Sequence, residues 1–246
     1  MPPSRSSERS KSPAPSEIRR PSVESKPDRR QNILLAAEKL FAQRGFDAVT
    51  IREIADEAQV PFALVGYYFG QKHALYHAIF EHWSATIDQR LSALAQALSS
   101  ESEDQLSAVV EAFIEPVIRL RASSEGEFYA LLMTRGLSMQ SEGEDAIIQE
   151  FFDPMARAFI DAFCKVLSRE FDGVKISQVA WCYQFALGSL LHHLSDRRVE
   201  RLSGGASKPI DAKAMPLLVA FIAQGMRGAM ARALSDGRAR KVRGKG

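Results

Sequence analysis

The sequence predicts an all-α protein, with a small N-terminal three-helix unit joined by a long helix to a larger helical body. Two observations carry this. Apolar residues beyond residue 30 recur at steps of three and four, the period of one helix face. No stretch combines strict alternation, β-branched enrichment and hairpin turn residues, as a strand pair requires.

From Arg30 the residues Ile33, Ala37, Leu40 and Phe41 share one face, and Gly45 can end that helix, which is expected over 30–44. "TIRE" is a capping box in which Thr50 accepts from the Glu53 amide while Glu53 reaches back, opening a helix over about 51–58. A third short helix is expected from Pro61 to Phe69, with Gly70 ending it. A long amphipathic helix then runs from about 71 to 99. Further helices are expected at 106–122, 127–139, 144–171, 176–195 and 214–234. In 144–171, Ile148, Phe152, Met155, Phe159, Phe163 and Val166 form the apolar stripe. Pro154 should either kink that helix or restart it with Asp153 as N-cap.

The 246 residues are 46% hydrophobic and 25% charged, as in a soluble globular protein of one large or two modest domains. No apolar run reads as a membrane span of about 18–20 residues, and the N-terminus lacks the apolar core of a signal peptide. Only Cys164 and Cys182 are present, both in apolar settings, so a reducing cytoplasm is the expected compartment and core filling their expected role. The net charge of +2 hides an asymmetry. Residues 1–30 carry eight Lys/Arg against four Asp/Glu, and residues 236–246 carry five against one, around an acidic middle. Four parts are expected: a disordered basic tail at 1–27, a helix-turn-helix domain at 28–75, a helical effector-binding and dimerisation domain at 76–235, and a basic tail at 236–246.

Two helices joined by a tight turn and braced by a preceding helix make a helix-turn-helix, whose second helix fits a major groove about 12 Å wide. Val60, Val65 and Phe69 should pack inward on Ile54 and Leu40. That leaves Phe62, Ala63, Gly66 and Tyr67 facing out, with Leu64 and Tyr68 at the margins. The segment "ILLAAEKLFAQRGFDAVTIREIADEAQVPFALVGYYFGQKHALYHAIF" (33–80) resembles the N-terminal domain of TetR-family transcriptional regulators in three features. These are the AA-x-x-LF-x-x-x-GF run, the T-x-x-x-IA start of the second helix, and the Tyr-x-Phe-x-x-Lys that closes the third. The resemblance implies that Thr50 caps the second helix and touches a phosphate. It implies that Leu64, Gly66, Tyr67 and Tyr68 meet bases and backbone, and that Lys72 meets a phosphate. This chain departs from the family's pattern at Pro61, Gly66 and Tyr68. With no Arg, Asn or Gln between Pro61 and Phe69, recognition is expected to lean on Phe62 or Leu64 against thymine methyls, on DNA shape, and on Arg29, Arg30 or Arg52.

A lone helix-turn-helix binds weakly, and two copies one helical turn apart read a palindrome. The resemblance implies a homodimer through a four-helix interface made by the last two long helices, where Leu190, His193, Leu217, Phe221 and Gly225 are expected. An effector cavity is expected between the middle helices, walled by Phe128, Leu132, Met133, Phe152, Met155, Phe159, Trp181 and Phe185, for an apolar or amphipathic small molecule. Arg119, Arg121 and Arg135 are candidates to anchor a carboxylate. The partners implied are double-stranded DNA, in the nucleoid, and that effector, with no cofactor and no membrane.

His73, His77 and Glu81 have i, i+4 and i+8 spacing but no further convergent ligand, so a solvated face is expected rather than a metal site. His192 and His193 near a helix end suit imidazolium against the dipole. No nucleophile–base order, phosphate-cradling loop or carboxylate pair points to catalysis. The reading is a palindrome-binding regulator, as a repressor released by its ligand. The alternative is an all-α effector-binding or scaffold protein whose head has lost specific DNA recognition.

Overall fold

A computed structural model describes residues 28–138 and 142–243, without the side chains of 142–144 and 236–243. The basic tail expected at 1–27 lies outside the described residues. Among the described residues every regular element is helical.

The head comprises α1 (Arg29–Arg44), α2 (Ile51–Glu57), α3 (Phe62–Phe69) and α4 (Lys72–His82). Asp28 caps α1 by accepting from the Arg30 and Gln31 amides, and Gly45 leaves the helix at φ +87°, a conformation open to glycine. The predicted capping box opens α2: the Glu53 amide donates to the Thr50 hydroxyl, and the Thr50 amide donates back to the Glu53 carboxylate at 2.8 Å. Val65 and Phe69 seal α3 against Leu40 and Ile54, all buried.

The long helix expected over 71–99 is broken. Trp83, at φ −96° and ψ 6°, separates α4 from α5 (Ser84–Ser99). The indole is held on both sides of the break: its Nε1 donates to Glu38 of α1 at 2.8 Å, and its ring stacks 5.1 Å from Tyr129. Both partners are distant in sequence, so the apolar periodicity through residue 83 carries no sign of the interruption.

In the body, α6 (Gln105–Ala122) is the central rod, burying Leu106, Val110, Phe113 and Ile114 against α5, α7 (Glu127–Ser138), α9 (Asp153–Glu170) and α12 (Met215–Arg243). The single helix expected at 144–171 is α8 (Glu142–Ile147), a π-helical turn over Ile148–Phe152, and α9. Pro154 sits in the first turn of α9, and the wide π turn before it absorbs the missing N–H, so Asp153 does not act as a side-chain cap. The body closes with α10 (Ile176–Ser195), the short α11 (Val199–Leu202), a 3-10 turn at Ala212–Ala214 and α12. The last helix runs through Arg243, so most of the stretch read as a separate basic tail continues α12, and 244–246 lie outside the described residues.

The segment 212–235 is long and apolar enough to cross a membrane by length and composition, which corrects the sequence expectation that no such run exists. Its inner face is already taken by the body, with Ile222, Ala223, Met226 and Met230 buried. Arg227 fastens it further, donating to Asp104 at 2.9 Å and to Glu170 at 2.7 Å. Arg227 holds the Asp104 carboxyl down at about 2, below the usual carboxylate range. A lowered carboxyl stabilises the fold above its unfolded pKa, and that contribution fades as pH falls toward 2. Arg227→Met is therefore expected to cost on the order of 1 kcal/mol at pH 7. Between pH 4 and 2 it should lose less further stability than the natural protein, as thermal melts across that range will read.

Candidate nucleic-acid interface

The outer face of α3 forms where the inner face is satisfied. Val65 is fully buried, so the helical period turns Phe62, Ala63, Gly66 and Tyr67 to solvent, with Tyr67 79% exposed and Phe62 57% exposed. Tyr68 is 38% exposed and meets Tyr67 edge-on at 5.2 Å, while Leu64 lies half-buried against the core. The structure thus brings together six of the sequence-derived positions on one short rod.

Basic groups flank that rod. Arg30 holds its guanidinium 4.9 Å from the Phe69 ring centroid, at the C-terminal end of α3, and Arg29 and Arg52 are exposed. Lys72 begins α4 with its ammonium 4.3 Å from the Phe46 ring centroid, and burial lowers its pKa. Its stem rests on the head's aromatic cluster, and a phosphate contact requires it to swing outward. Thr50 is occupied by the capping box, and the Thr50 groups and Arg44 bring Glu53 to about 2. A phosphate contact by its hydroxyl therefore competes with Glu53.

Gly66 has no packing reason to be glycine. A Cβ built there meets nothing within 4 Å, and its backbone is ordinary helix. Gly66→Ala is expected to raise stability by about 0.5–1 kcal/mol through helix propensity. If the duplex approaches closest at this point, the same change weakens DNA binding. Paired thermal melts and duplex titrations check it, and a gain in both quantities would remove Gly66 from the interface.

The body holds a cavity of about 530 Å³ between α5, α6, α7 and the π turn, with Ile87, Arg90, Pro116, Leu120, Met133 and Phe152 among its walls. Only Met133 and Phe152 of the expected wall are there. Leu132 is core, and Met155 and Phe159 pack into the body at 3% and 0% exposure. Phe128 faces a separate cleft shared with α1 and Trp83. Trp181 and Phe185 stand outside, 65% and 64% exposed, because the opposite face of α10 supplies the core through Val179, Cys182 and Ala186. Of the expected carboxylate anchors, Arg119 lines the rim of this cavity, where it pairs with Glu115, whereas buried Arg121 lies outside it and donates to Glu127 at 2.8 Å. Arg135 packs against Gly45 of the head.

Arg90 is not legible in the sequence, where it is one more charge on an amphipathic helix. It lies buried on α5, its Nη2 donating to the Phe113 carbonyl at 3.1 Å and its Nε without a partner. Burial lowers its pKa to about 10.

The expected dimer positions divide. Leu217, Phe221 and Gly225 are exposed along α12, beside Trp181 and Phe185 on α10. Leu190 is not among them, being 2% exposed inside the body. His193 is half-buried, its Nε2 enclosed without a partner, and burial lowers its pKa, so a charged imidazole against the helix dipole is not what the site favours. His192 instead meets Asp196 at 3.0 Å. His77, expected on a solvated face, pairs with Glu150 at 3.0 Å and with Glu81, and among the described residues no group of three or more His, Cys, Asp or Glu is placed to hold a metal. Both cysteines are free, Cys182 buried and Cys164 half-buried.

Two family descriptions match the chain: "Bacterial regulatory proteins, tetR family" over residues 33–79 and "Tetracyclin repressor-like, C-terminal domain" over residues 111–225. Among curated relatives, the transcriptional activator FasR of Mycolicibacterium smegmatis is 34% identical over 90 residues, covering 36% of this chain and 40% of that one. The transcriptional repressor NicS of Pseudomonas putida is 32% identical over 108 residues, covering 44% and 48%. The chain thus spans under half the length of these relatives. A TetR-family regulator from Bordetella parapertussis superposes with a TM-score of 0.59 at 14% identity, over 80% of this chain and 95% of that one, a likeness of fold.

Proposed function

Because the chain belongs to the TetR family of bacterial regulatory proteins, we propose that it is a dimeric, DNA-binding transcriptional regulator whose body senses a small molecule. One observation carries the reading: α3 presents Phe62, Gly66 and Tyr67 outward from a head whose interior is already closed without them. Apolar and glycine surface left unused by folding on a groove-sized helix is what a base-edge and backbone contact needs. The body's cavity supports sensing. Its occupation favours one arrangement of α5 over another, and α5 continues into the head through the Trp83 break.

We further propose repression in the absence of ligand and release on binding, since the cavity abuts the connector rather than the DNA face. The apolar character of α3 favours a second reading, in which the head grips duplex without reading it. Selection of duplexes from a random library on the purified full chain separates the two. Enrichment of a palindrome, with affinity falling steeply between about 50 and 200 mM salt, supports the regulator. Salt-dependent binding with no enriched sequence supports the second reading and sinks the first.

A further inference from the structure

The body cavity contains a cation with no counter-ion among the described residues. Arg90 is 7% exposed, lines the cavity, and has one satisfied contact, the 3.1 Å bond from Nη2 to the Phe113 carbonyl. Its guanidinium lies 5.5 Å from the Phe113 ring centroid and 5.8 Å from that of Phe159, and its Nε is enclosed with no hydrogen-bond partner. The titratable groups near it are the Tyr183 and Tyr129 phenols, which are uncharged at neutral pH, and no carboxylate is among them. The carboxylate on the cavity wall, Glu115, is taken by Arg119 at the rim. Removing a guanidinium from water without an anion costs several kcal/mol, and folding gains little in return from one carbonyl and two ring faces.

An orphaned cation at one end of a mostly apolar space is half of an ion pair. We propose that the cavity takes an organic carboxylate with an apolar body, its two oxygens received by the Arg90 guanidinium and its hydrocarbon lying along Ile87, Val117, Leu120, Met133 and Phe152. A planar guanidinium fork matches a carboxylate in paired hydrogen bonds, and the pairing strengthens where water is excluded. Pro116 helps make the space. Lying inside α6, it offers no N–H to the preceding turn and forms part of the cavity wall. The cavity's 530 Å³ is within the roughly 300–1,000 Å³ of small-molecule sites. This inference rests on reading the body as an effector domain, and it names the chemical class of that effector.

Calorimetry on the full chain tests it with octanoate, dodecanoate and 4-phenylbutyrate, each against its matching alcohol. At least one acid is expected to bind about tenfold or more tightly than its alcohol. Arg90→Met should abolish that preference while leaving alcohol binding in place, and Arg90→Lys should keep part of it. Arg90→Met should also melt at or above the natural protein without ligand, since it removes an uncompensated charge. Equal binding of acid and alcohol, no binding by any acid, an acid preference that survives Arg90→Met, or an Arg90→Met chain that cannot fold while Arg90→Lys does would each overturn the assignment. Duplex selection without ligand is run alongside. A chain that selects a palindrome but ignores every acid loses this inference and keeps its function, whereas one that selects no palindrome loses the function regardless of what fills the cavity.

Discussion

Replacing Phe221 by glutamate is expected to turn the proposed dimer into a monomer at micromolar concentration and to lower affinity for a palindromic duplex at least 100-fold, while the subunit stays folded. The side chain is 67% exposed and lies beside Phe185, Trp181 and Leu217, exposed by 64%, 65% and 75%. These four put on the order of 500 Å² of apolar surface in water, near the upper end of what a monomer's largest patch shows. Folding has no use for it: the buried side of α12 is furnished by Ile222, Met226 and Met230, and that of α10 by Val179, Cys182 and Ala186. Exposed Gly188 and Gly225, with no atoms near where their Cβ would stand, let a second pair of helices come close. We propose that a two-fold contact of this face with its own copy makes the four-helix arrangement and sets both α3 rods at a fixed spacing. The Phe221→Glu change places a desolvated carboxylate from each copy at the centre of that contact. Sedimentation equilibrium reads the stoichiometry and anisotropy titration the affinity. A dimer that persists in Phe221→Glu and in Phe185→Arg places the interface elsewhere.

The same helices show which parts of the molecule the sequence makes legible. Local signals survive intact. Thr50 and Glu53 form their reciprocal cap, Gly45 and Gly70 end helices with positive φ, and Val65 and Tyr67 face opposite ways, because each rests on bonds or angles within a few residues. Signals that depend on what packs where do not. Trp181 and Phe185 read as cavity wall and stand exposed, while Leu190 reads as interface and is buried in the body, since a helix that is apolar around much of its circumference does not say which side meets its own body. Arg90 is the sharpest case. Periodicity assigns a long charged side chain to solvent by default, and only the tertiary closure of α5 on Phe113 and Phe159 encloses it.

Trp83 shows how such a closure becomes a connection. Trp83→Ala is expected to cost about 3 kcal/mol of stability and to leave ligand binding in place while ending ligand-driven release of DNA. The indole joins three parts: its Nε1 donates to Glu38 of the head, its ring stacks on Tyr129 of the body, and its backbone breaks the connector between α4 and α5. Thr86 and Ile87, one turn along α5, line the cavity, which puts a molecule seated there against the helix that follows Trp83. Glu38 is 2% exposed, and burial raises its pKa against the pull of the indole. Removing the indole therefore leaves a buried carboxyl with its backbone bond at Tyr129 but without its side-chain partner, and Glu38→Gln in the same chain is expected to recover about 1 kcal/mol by removing the charge. The pH dependence has a definite sign. A carboxyl with a raised folded pKa binds its proton more tightly in the native state, so this group lowers stability as pH climbs from its unfolded value through its folded one. Glu38→Gln alone removes that decline, and melts between pH 4 and 8 measure it. If Trp83→Ala keeps the ligand-driven release proposed for the natural protein, the signal bypasses this joint and runs through the packing of α7 on α1, where Arg135 closes over Gly45.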